Sequence, residues 1–292
     1  MSALYDFHER PDLESPVLVI ATEGWIDAGG AAARASAALV EGRETTTVAA
    51  FDTDALLDFR SRRPVMHLRE GINTGLTWPA IELRAFTDSE GDDVVMLTGA
   101  EPDHQWRAFT EAVVDLALEL GVRMVIGLGA YPAPVPHTRP SRLASTATEP
   151  SLAAQVGTIR SNIDVPSGIG GAIEERCATV GLPAVGLWAQ IPHYAATMPY
   201  PGGAFALVET LNRLTELSFP TGTLAQEAEE TRARLDELVA DSAEHVALLR
   251  QLEAQADTAD EPTEGEPPSG PLPSGDELAS EIERFLRDQG NR

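Results

Sequence analysis

Two Pro-His steps, Pro136-His137-Thr138 and Pro192-His193-Tyr194, each follow a short apolar run, Met124–Leu128 and Ala184–Ala189. Apolar runs of this length bounded by Gly and Pro read as strands buried on both faces, the signature of parallel sheets. Ligands in open α/β sheets bind outside the carboxyl ends of such strands. If the two strands are parallel, both histidines leave the sheet along one edge. A histidine pair can hold a metal or exchange a proton. Neither H-E-x-x-H nor a carboxylate or cysteine at ligand spacing accompanies them, so no metal is expected. The G-x-S-x-G elbow of serine hydrolases is missing as well. His137, His193 and Glu101, a carboxylate just beyond the strand Asp92–Leu97, are the candidate catalytic groups. Against that stands a structural role for each: histidines hydrogen-bonded to backbone, and a solvated loop glutamate.

Binding candidates lie in these loops and in two glycine-rich stretches. Gly24 and Gly168 would offer backbone donors, and Arg139 would pair either with an anionic substrate or with its own loop. Trp25, Asp27, Gly99, Asp103, Thr138 and Tyr194 complete the set. Asp27 and Asp103 each have a competing role as helix caps, before Ala31–Val40 and Gln105–Leu120. Neither glycine-rich stretch, Gly24–Gly30 or Ser167–Gly171, satisfies G-x-G-x-x-G between a strand and a helix, so no dinucleotide and no other cofactor is expected.

These residues need a frame. Val17–Ala21, Thr45–Phe51, Asp92–Leu97, Met124–Leu128, Arg142–Thr148 and Ala184–Ala189 read as strands, alternating with helical stretches, so the chain predicts an α/β fold with a mostly parallel sheet. Val65–Arg69 and Ile81–Phe86 flank Glu70–Gly75 and read as one long β-hairpin, an insertion over about 64–87 suited either to pairing with another subunit or to covering its own core. The core is expected over residues 1–219. A helix or helix pair over 220–258 could serve as a lid, an acidic Pro/Gly-rich linker spans 259–275, and a short amphipathic helix lies within 276–292.

The net charge of −25 over 292 residues argues against nucleic acid and anionic lipid as partners. All 21 cationic side chains other than histidine are arginine. Without lysine there is neither a Walker-type P-loop nor a Schiff base. No apolar run suits a membrane span or a signal core, and Cys177 stands alone, so a reducing cytoplasm is the expected setting.

Four segments carry a family resemblance: Gly24-Trp25-Ile26-Asp27-Ala28-Gly29, Gly99-Ala100-Glu101-Pro102-Asp103, Val135-Pro136-His137-Thr138-Arg139-Pro140 and Trp188-Ala189-Gln190-Ile191-Pro192-His193-Tyr194. Together, in this order and over about Val17 to Leu217, they resemble the proteasome assembly chaperone 2 family in its actinobacterial branch. The resemblance implies a three-layer α/β sandwich like that of purine nucleoside phosphorylases and related hydrolases. It also implies homo-oligomers, with a trimer favoured, and proteasome subunits as conceivable protein partners. It implies no established activity. Archaeal relatives engage the proteasome through a terminal hydrophobic-tyrosine-any tripeptide, whereas this chain reads Gly290-Asn291-Arg292. Two functions follow as expectations: a non-catalytic oligomeric assembly or scaffold protein, or a small-molecule-binding or hydrolase-like enzyme with its site at the strand ends under the helical extension.

Overall fold

The computed structural model describes residues 4–24, 26–157 and 163–259. Trp25, the linker beyond residue 259 and the expected terminal helix lie outside the described residues. Starting at the N-terminus, β1 (Tyr5–Phe7) precedes β2 (Val17–Glu23), the helix α1 (Ala31–Val40), β3 (Thr46–Phe51) and a single turn α2 (Thr53–Leu56). The strands β4 (Val65–Arg69), β5 (Ile72–Thr77), β6 (Ile81–Thr87) and β7 (Asp93–Ala100) follow, then the helix α3 (Trp106–Glu119). The second half comprises β8 (Met124–Ala133), β9 (Leu143–Ala147), α4 (Pro150–Ala154), α5 (Ile169–Val180), β10 (Ala184–Pro192), α6 (Pro201–Thr215), α7 (Gly222–Ala240) and α8 (Ala243–Ala259).

One sheet of eight strands, ordered β1-β3-β6-β7-β2-β8-β10-β9, forms the middle layer. Its four central strands, β7, β2, β8 and β10, are parallel, and antiparallel strands extend it on both sides. Alternation along the strands explains the layers. In β2, Val17 and Val19 face a core shared with α1, α6 and α7, whereas Leu18 and Ile20 face one shared with α3 and α5. In β7, Val94 and Met96 split from Val95 and Leu97 in the same way. Helices on both faces make the three-layer sandwich.

The hairpin differs from expectation. Val65–Arg69 pairs not with Ile81–Phe86 but with Ile72–Thr77, from Val65 opposite Thr77 to Arg69 opposite Ile72. Glu70 and Gly71, with φ of 51° and 82°, form the two-residue turn, because hairpin twist favours positive φ at both central positions. Asn73 and Gly75, read in the sequence as turn residues, lie in the second strand: the Asn73 side chain accepts from the Gly75 amide next to a register shift. Ile81, Leu83 and Ala85 are buried against the α3 layer, which makes β6 an interior strand between β3 and β7. The projecting element is therefore 65–77.

Candidate functional site

The strands β8 and β10 run in register from Ala184 opposite Val125 to Pro192 opposite Ala133, so the two Pro-His steps do emerge at one end of the sheet. The following loop presents His137, Thr138 and Arg139, and the chain after β10 turns through His193–Ala195 and presents Tyr194. Tyr194 joins the two. Its hydroxyl accepts the His137 amide at 2.9 Å and lies 2.7 Å from His137 Nδ1. The Asp236 carboxylate can only accept, so in the neutral ring Nδ1 is the acceptor and takes the Tyr194 hydroxyl's hydrogen bond. That leaves Nε2–H of His137 to donate to Asp236 Oδ1 of α7 at 3.2 Å. The His137 side chain is fully buried, and burial holds its pKa below the ordinary imidazole value despite the pull of Asp236. Burial likewise pushes the Tyr194 phenol upward. His193 packs edge-on against Tyr194, with ring centroids 5.3 Å apart.

The rest of the loop is bound by α8. The Thr138 hydroxyl donates to Glu253 at 2.6 Å. Arg139 grips both Asp257 oxygens, Nε to Oδ1 at 2.8 Å and Nη2 to Oδ2 at 2.9 Å, and approaches Glu253 at 3.5 Å. Arg142 donates to the Ala256 carbonyl at 2.7 Å. On the neighbouring helix, Arg34 holds Glu227 of α7 by two bonds of 2.9 and 2.7 Å. The helix pair therefore covers the strand ends as a strap whose carboxylates meet the loop's donors. Between this loop, α6 and α7, a cavity of about 450 Å³ is lined by His137, Thr138, Arg139, Tyr200 and Arg232 among others. Sequence reasoning found the loop but not Asp236, Glu253 and Asp257. They lie about a hundred residues away on helices whose many acidic positions give no sign of which face the loop.

The other candidates are dispersed. Glu101 is buried, and its Oε1 accepts from the Ile169 amide at 2.6 Å, beside Gly168, so it caps α5. Asp27 accepts from Ala32 at 2.8 Å and Ala33 at 2.9 Å, the capping role weighed for it. Asp103 does not cap α3. That place is taken by Gln105, with φ of 56°, while Asp103 accepts from the Asp58 amide at 2.8 Å and pairs with Arg62. Gly99, at φ +105°, lies so close to Ala80 that a Cβ would sit 1.9 Å from the Ala80 carbonyl oxygen. Gly24 follows β2, and a Cβ there would meet the Thr22 carbonyl oxygen at an ordinary 3.8 Å. Cys177 is buried on α5, and desolvation drives its thiol up to about 11, which suits packing rather than nucleophilic attack. Among the described residues, no group of three or more His, Cys, Asp or Glu side chains could hold a metal ion, and no helix is long and apolar enough to cross a membrane.

No curated protein matches the chain. Solved structures do. A Mycobacterium tuberculosis protein of unknown function shares 38% identity, with a TM-score of 0.82 over 90% of this chain and 93% of that one. A proteasome-assembly chaperone homologue from Mycobacterium tuberculosis shares 32%, with a TM-score of 0.74 over 81% and 99%. A PAC2 family protein from Streptomyces avermitilis shares 35%, with a TM-score of 0.71 over 80% and 99%. The PAC2 family's sequence model matches residues 21–239, which contain β3 to β10, both Pro-His loops and all but the last residue of α7. The chain belongs to the PAC2 family.

Proposed function

We propose that this chain is a non-catalytic assembly protein that works as a homo-oligomer in the cytoplasm, the trimer its family resemblance favours, in the manner of the chaperone homologue it is similar to. The β4–β5 hairpin carries the reading. Every residue of both strands is exposed, and Val65, Met66, Leu68, Ile72, Leu76 and Trp78 are each more than 40% accessible. An isolated two-stranded hairpin is marginal in water, and large apolar side chains gathered in the open on a projecting hairpin mark an interaction surface. Its strands also bring unpaired edges that a second copy can satisfy. Trp78 packs edge-on against Phe59 with centroids 5.0 Å apart, which anchors the base of the hairpin while leaving its length outside.

The groups expected to do chemistry support the same reading. Glu101 caps a helix, Asp27 caps another, and His137 is enclosed between Tyr194 and Asp236. Such commitments serve architecture. Proteasome subunits are the client that the chaperone homologue's name suggests.

Native mass spectrometry of the full chain tests the proposal. The expected result is a closed homo-oligomer that falls to monomers when Met66, Leu68 and Leu76 are all replaced by serine, with the circular dichroism spectrum unchanged. A monomeric natural chain, or an oligomer indifferent to the three substitutions, would sink it.

A further inference from the structure

We infer that the loop bearing Thr138 and Arg139 is a binding site for an oxyanion, a carboxylate or phosphate group on a small molecule, which α8 keeps closed with side chains of the same chemistry. The donors converge as such a site requires. The Arg139 guanidinium presents its planar fork to both oxygens of one carboxylate, and the Thr138 hydroxyl and a further Arg139 nitrogen meet a second. A fork of this geometry fits carboxylate and phosphate alike. The site lies outside the carboxyl end of a central parallel strand, where this sheet architecture places ligands. Behind it the cavity of about 450 Å³ offers room for the rest of the molecule; its wall includes Arg232, which pairs with Glu229 at 3.6 Å, and Glu209.

The present occupants, Glu253 and Asp257, belong to the most lightly held element of the strap. Of the α8 side chains up to Thr258, only Leu252 and Ala256 are buried. Asp257 is more than half exposed and Arg139 more than a third. Exposed ion pairs contribute little, and most of a helix's stability in a protein comes from packing of its apolar face. A soluble oxyanion competes with α8 on nearly even terms, which makes the strap a displaceable internal ligand rather than a fixed wall.

The test uses the full chain carrying Glu253→Gln and Asp257→Asn, with citrate and pyrophosphate as probes at constant ionic strength. Calorimetry reads binding, and hydrogen exchange reads the protection of α8. The double variant is expected to lose α8 protection and to bind one probe about tenfold or more tighter than the natural chain. The gain should vanish when Arg139→Gln is added. Preference for citrate identifies a carboxylate ligand, and preference for pyrophosphate a phosphate. Unaltered α8 protection in the double variant, or a released α8 with neither probe bound, overturns the inference. Should the variant fail to fold, the natural chain decides: each probe is compared with sodium chloride of equal ionic strength, and α8 exchange that neither probe accelerates overturns it too. Oligomer mass is a separate readout, so a monomeric chain would defeat the assembly proposal without touching this result.

Discussion

His137 is held as a neutral ring by its surroundings, and that determines how it answers to pH. Its Nδ1 accepts a hydrogen bond from the Tyr194 hydroxyl and its Nε2–H donates to Asp236, while burial lowers its pKa in the folded chain. In the unfolded chain the ring titrates near about 6.5. Between the two values the unfolded state binds more protons, so this residue's contribution is complete above about pH 6.5 and is lost as the pH falls through its folded value. The carboxylates held low by hydrogen bonds and arginines, Asp88, Asp103, Glu227 and Asp257, lose their contributions only in more acid solution. The melting temperature of the natural chain should therefore fall from about pH 8 to about pH 5.5, and that of His137→Gln should fall less over the same window. Parallel curves for the two proteins would show that His137 is not the titrating group.

Elements depend on a few such commitments. Glu101 accepts the first amide of α5 in a buried setting, so Glu101→Ala leaves that N–H unmet and should cost about 1–3 kcal/mol in urea unfolding, whereas Glu101→Gln, which keeps an acceptor oxygen, should cost well under half of that. Equal losses would mean that charge at the helix terminus, not the hydrogen bond, is what matters. This cap also shows what the sequence can reveal. The strands around the site were legible because Val17–Ile20 and Val94–Leu97 are apolar on both faces, and the helices because Phe109, Val113 and Leu116 recur at helical spacing. The hairpin was legible only in outline. Asn73 and Gly75 speak for a turn locally, and only the burial of Ile81, Leu83 and Ala85, a tertiary fact, assigns β6 to the main sheet. The loop of His137 and Arg139 was likewise visible as a strand-end loop. Its partners were not, since no short-range pattern links Thr138 to Glu253 or Glu101 to Ile169.

At the scale of the whole molecule, charge acts in two opposing directions. A net charge of −25 makes the compact state repel itself, and added salt relieves that repulsion once the Debye length shrinks to about 10 Å near 0.1 M. The same screening weakens the exposed pairs between Arg139 and α8, and between Arg34 and α7. The core owes its cohesion to the two apolar clusters on either face of the sheet, which sodium chloride leaves nearly untouched, so relief of repulsion governs global stability. The strap's outer helix has little apolar anchorage, so loss of ion pairing governs there. Raising sodium chloride from about 20 to about 300 mM should therefore raise the melting temperature of the chain while speeding amide exchange in α8. A melting temperature that falls together with α8 protection would place the ion pairs, rather than the −25 charge, in control of the fold. Protection of α8 that rises with salt would mean that the strap is held by Leu252 and Ala256 and not by the loop's arginine.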